Sequence, residues 1–110
     1  MAYDEKLAGR IRTVLGDRPD LTEKQMFGGL AFLVGGNMAV AASGKGGLMA
    51  RVDPEESAEL VATTPAELMK MRGRRMPGWL RLGSGDVADD AVLREWVERG
   101  AAYAGSLPPK

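Results

Sequence analysis

Residues 26–52 read MFGGLAFLVGGNMAVAASGKGGLMARV, and this stretch decides the fold. Its apolar runs are cut twice, at Gly35-Gly36-Asn37 and at Ser43-Gly44-Lys45-Gly46-Gly47. Glycine and asparagine tolerate positive φ, so both cuts predict tight turns between short strands. Three strands in succession make an antiparallel meander. The Gly28-Gly29 pair falls inside the first run, where glycine predicts a bulge or a close backbone approach. No strand–helix–strand rhythm of a parallel sheet is present.

Helical patterns flank the meander. Leu7, Ile11, Val14 and Leu15 recur at helical spacing, predicting a helix over 3–16 that Gly16 stops. Asp17-Arg18-Pro19-Asp20 is a turn, and Gln25-Met26-Phe27 leads into the sheet. After it, Asp53-Pro54-Glu55-Glu56 is a helix start with Asp53 as cap, predicting a middle helix to about Val61. Thr64-Pro65-Ala66-Glu67 repeats that logic and predicts a short turn through Met69. Gly78–Leu82 reads as one more strand. Ser84 or Asp86 then caps a last helix carrying Leu93, Trp96, Val97 and Gly100. The expectation is one α+β domain over 1–110. It has two layers, with an antiparallel sheet of four to five strands (meander 26–52 plus strand 78–82) and N-terminal, middle and C-terminal helices.

Composition excludes several kinds of chemistry. The chain has 110 residues and neither cysteine nor histidine. Disulfides, thiol nucleophiles, Cys/His zinc sites and imidazole acid–base catalysis are therefore absent. No apolar run approaches the ~20 residues of a membrane span, and the charged start lacks the core of a signal peptide, so a cytoplasmic location is expected. Fifteen basic residues balance fifteen acidic ones. Any anion binding must then come from a local patch.

Such a patch lies at 70–81, KMRGRRMPGWLR. Lys70, Arg72, Arg74, Arg75 and Arg81 crowd it, with no acidic residue between Glu67 and Asp86. Arginine presents a planar donor fork to carboxylates and phosphates, so Arg51, Arg72, Arg74 and Arg75 are the candidates for binding a partner or an anion. Trp79 could stack beside them. The bland reading is a solvated loop with Trp79 buried in its strand.

Other features read as structure. The 43–47 loop lacks GxxxxGK[ST] and precedes a strand, so it is a hairpin turn and not a phosphate cradle. Asp86, Asp89 and Asp90 are helix-start acids without calcium-loop spacing, and no metal or cofactor is expected. Met26, Met38 and Met49 are expected in the core, while Met69, Met71 and Met76 flank the basic run.

Met26-Phe27-Gly28-Gly29, then Gly73-Arg74 with Met76-Pro77-Gly78-Trp79, in that order, resemble the N-terminal domain of the TfoX/Sxy family over about residues 3–104. The resemblance implies a two-layer α+β fold. It also implies a regulatory, non-enzymatic domain, since the founding members regulate natural competence alongside a transcription factor. No catalytic residue carries over; Phe27, Gly28, Gly29, Arg74, Met76, Pro77, Gly78 and Trp79 match the motif.

The expected function is a non-enzymatic interaction domain that binds a protein partner in transcriptional regulation. The alternative is an anion or small-molecule binder, or an enzyme, working on the sheet face with Lys24, Tyr3 and Glu67. A homodimer through exposed strand edges is a further possibility. Sequence-specific nucleic-acid binding by the chain alone is not expected. Five cations limit the log–log salt slope to about −3 to −4.5, and no recognition helix is evident.

Overall fold

The computed structural model describes residues 3–26, 28–44, 46–71 and 73–109, so Phe27, Lys45 and Arg72 lie outside the described residues. Helix α1 (Glu5–Leu15) opens where the Asp4 carboxylate accepts the N–H groups of Lys6 and Leu7. Four strands follow: β1 (Leu21–Met26), β2 (Gly29–Val34), β3 (Asn37–Ala42) and β4 (Leu48–Arg51). A 3-10 turn (Pro54–Glu56) leads into α2 (Ser57–Thr63), then β5 (Glu67–Met71), β6 (Arg74–Leu82) and α3 (Asp90–Ser106). The six strands form one sheet in the order β1-β2-β3-β4-β6-β5, every pair antiparallel.

The expected α+β class, meander and flanking helices are all present, and the strand number is slightly higher than expected. Two strands were hidden. β1 is polar (LTEKQM) and mostly exposed, as suits a sheet edge, so it carries no apolar period. Met26 pairs with Gly29, so the expected bulge at Gly28-Gly29 is instead the reversal between β1 and β2. The meander's register shift falls one strand span later, beside Phe32 and Leu33.

The second hidden strand is β5, where a short helical turn was expected. Thr64 does not start a helix but ends α2. Its Oγ1 donates to the Leu60 carbonyl at 2.6 Å and accepts the Ala66 N–H. Likewise β6 begins at Arg74 and not at Gly78, so most of the basic run belongs to a β5–β6 hairpin at the sheet edge. The last helix is capped by Asp89; Asp86 instead accepts the Gly83 N–H within a 3-10 turn, Ser84–Val87. Asn37 is a buried strand residue whose amide donates to the Pro108 carbonyl, which pins the chain's end beside the β2–β3 turn.

The main core lies between the sheet and the helices. Leu7, Ile11 and Leu15 of α1, Leu60 of α2 and Leu93, Trp96 and Val97 of α3 meet Phe32, Val40, Leu48 and Leu80. The opposite sheet face gathers a second cluster: Ala31, Met38 and Ala41, with Met26, Leu33, Met49 and Trp79 half-buried around them. Among the described residues no helical side chain belongs to it. Met26, Met38 and Met49 therefore sit on this second face and not in the main core. Among the described residues no helix is long and apolar enough to cross a membrane.

Candidate functional site

The site is built on β4, β5 and β6, and its shape follows from the Met76-Pro77-Gly78-Trp79 segment. Leu68 of β5 pairs with Leu80, but the next residue, Met69, pairs with Met76. Residues 77–79 are thus left without partners on β5. Pro77 has no N–H to give a ladder, and a bulge is where a sheet tolerates it. Gly78 has φ 87°, and a Cβ there would meet Pro54 and the Val52 carbonyl oxygen, both at 3.0 Å. Its N–H donates to the hydroxyl of Ser57, and its carbonyl accepts the Val52 N–H at 2.8 Å. The bulge is thereby fastened to the start of α2, and Trp79 emerges on the second face opposite Arg51.

Arg51 and Trp79 are cross-strand partners. The guanidinium carbon of Arg51 lies 5.0 Å from the Trp79 ring and 5.5 Å from the ring of Tyr103 on α3. Such placement suits a cation–π contact and holds the donor fork half-buried. Both Arg51 and Trp79 were legible as candidates. Tyr103 was not, since it falls on the same helical stripe as the core residues of α3.

Three of the described arginines are ion-paired. Arg10 pairs with Asp90 at 2.8 Å, Arg12 with Glu23 at 2.8 Å, and Arg99 with Glu95 at 3.4 Å and Glu56 at 3.7 Å. Arg51, Arg74, Arg75 and Arg81 make no ion pair among the described residues, and neither do Arg18 after α1 and Arg94 on α3. Arg74, Arg75 and Arg81 are exposed. Arg75 stands directly opposite Lys70, like charge against like. The structure thus joins Arg74 and Arg75 in one hairpin, with Arg51 and Trp79 at its base. Arg72 is outside the described residues.

One pair carries a resolved titration shift. The hydrogen bonds from Arg12 hold the Glu23 carboxyl below the usual carboxylate range, against a smaller opposing effect of burial. It is a structural tie between α1 and β1, remote from the hairpin.

The groups expected for an acid–base site do not converge. Lys24 is on β1 and Glu67 on β5, the two opposite edges of the six-stranded sheet. Tyr3 packs against the main core ahead of α1. An open depression on α3 is lined by Ala91, Arg94, Glu95, Glu98, Arg99 and Ala102, and holds none of the expected site residues.

The chain belongs to the TfoX N-terminal domain family, whose model matches residues 13–104. No curated protein and no solved structure matches the chain. The described motif positions are mostly structural in this fold: Gly28 and Gly29 turn β1 into β2, and Pro77 and Gly78 form the bulge that sets Trp79.

Proposed function

We propose that this TfoX N-terminal domain is a non-enzymatic interaction module that binds a protein partner in transcriptional regulation through Arg51, Arg74, Arg75 and Trp79. One observation carries the reading. Three helix-borne arginines, Arg10, Arg12 and Arg99, are matched with carboxylates while Arg94 is not, whereas none of the described arginines on the β5–β6 hairpin and its base is matched. Like charges left facing each other cost a little stability, and that cost is sensible where a partner supplies the counter-charge. A protein partner is favoured over nucleic acid because the patch is small and the chain is neutral overall. The scatter of Lys24, Tyr3 and Glu67 lends no support to the alternative of a catalytic or small-molecule site.

The test is affinity capture from the native cell with the wild type and with an Arg74→Ala/Arg75→Ala variant, melts of both confirming equal folding. A partner retained by the wild type and lost by the variant is expected. Equal retention by the variant would overturn the assignment of the hairpin.

A further inference from the structure

We infer that the second face of the sheet is a docking face for an acidic amphipathic helix of a protein partner. This rests on the interaction-module reading and names the chemistry of what that partner presents.

Residues paired across antiparallel strands share a face. One row across this face runs Lys24, Ala31, Ala41, Met49 and Arg81, from β1 through β2, β3 and β4 to β6. A lysine and an arginine therefore bound a row of two alanines and a methionine. Ala31 and Ala41 are buried to 0% and 5% exposure beneath the longer side chains of their cluster, so the surface a partner meets is that of Met26, Leu33, Met49 and Trp79, all half-buried and none joined by a helical side chain among the described residues.

The dimensions select a helix. Lys24 and Arg81 are four strand spacings apart, ~19 Å at ~4.8 Å each. A helix with its side chains is ~10–12 Å wide and fits between them, its flanks within reach of both cations. The six-residue strands β2 and β3 offer ~20 Å of length, enough for ~13 helical residues.

Charge selects the sign. Lys24 and Arg81 are exposed and make no ion pair among the described residues, and Arg51 adds a third cation beside Trp79. Glu67, opposite Arg81, is the one carboxylate found in this row. A helix with an apolar stripe and glutamates or aspartates on both flanks complements that pattern. Methionine-bearing surfaces adapt to such stripes, because the thioether chain is unbranched and flexible. A second copy of the chain would bring the same cations to face the same rim.

The methionine methyls make the test direct. The full chain, methyl-labelled at methionine, is titrated by NMR with a designed helical peptide of about 14 residues carrying a leucine stripe flanked by glutamates. The same peptide with lysines in place of the glutamates is the control. Expected are shifts of the Met26, Met38 and Met49 methyls and the Trp79 indole, absent with the lysine peptide. A Lys24→Glu/Arg81→Gln variant should bind about tenfold more weakly. No shift with the acidic peptide, an equal response to both peptides, or shifts of the same methyls on raising protein concentration alone would each overturn the inference; the last would assign the face to a second copy. Loss of this result with partner capture through Arg74 and Arg75 intact would remove the docking face alone and leave the interaction-module reading standing.

Discussion

A Cβ placed on Gly29 would overlap the carbonyl oxygen of Ala42, so β2 and β3 approach each other at that point only because the residue has no side chain. Backbone cannot yield as a side chain end can. Gly29→Ala should cost about 3 kcal/mol or more, at the upper end of overpacking effects. Gly9 in α1 has no heavy atom within 4 Å of such a Cβ, and Gly9→Ala should instead add about 0.5–1 kcal/mol from helix propensity. Thermal or urea melts of the two variants should move in opposite directions.

Ser57 holds the bulge of β6. Replacing it with alanine leaves the Gly78 N–H without its acceptor in a buried place, which costs about 1–3 kcal/mol. Because Trp79 follows directly, Ser57→Ala should also perturb the indole signals of Trp79 while leaving those of Trp96 near their wild-type positions. Melts and indole NMR together check this.

The Arg12–Glu23 pair makes a small contribution that depends on pH. The folded-state pKa of Glu23 is depressed, so its stabilisation is present at neutral pH and is lost as the pH falls through that depressed value, below the usual carboxylate range. Both groups are substantially exposed, which limits the effect to about 0.5 kcal/mol. Glu23→Gln should be less stable than wild type by that amount near neutrality and equal to it in strong acid. A difference that persists in acid would mean that packing, and not charge, separates the two.

Arg75 and Lys70 face one another across the hairpin. Arg75→Glu turns a like-charge pair into an opposite one and should raise stability by about 0.2–1 kcal/mol. Partner capture should fall at the same time. A variant that melts higher and binds less would identify the hairpin charge as retained for recognition.

Local pattern carried the helices and the meander, because their residues are placed by period and turn chemistry alone. Leu7, Ile11 and Leu15 are buried on α1 as their spacing predicts, and the turn at 43–47 falls where its glycines lie. Elements whose signal depends on distant partners were misread. Glu67–Met71 becomes a strand because β6 lies beside it, while Thr64-Pro65-Ala66-Glu67 carries the local pattern of a helix cap. Asp86 and Asp89 both suit a cap by residue type, and only the path of the chain shows that the first serves a 3-10 turn. In the site, Arg51, Arg74, Arg75 and Trp79 were legible as chemistry, but the pairing of Arg51 with Trp79 was not. Their meeting depends on β4 lying beside β6, a contact between residues far apart in sequence. The open face was hidden for a related reason. β2 and β3 are apolar on both sides, and such runs do not disclose which side a helix will cover.

The three residues left over at 77–79 also act as a spacer between two phases of β6. Downstream, Leu80 and Leu82 are locked into the core and fix the alternation of the strand. Upstream, the pairing restarts at Met76, so the hairpin tip takes its alternation from β5 and not from that core. Residues at the tip can therefore change in size, charge or number without turning Trp79 inward. What the hairpin presents is thereby uncoupled from the scaffold beneath it.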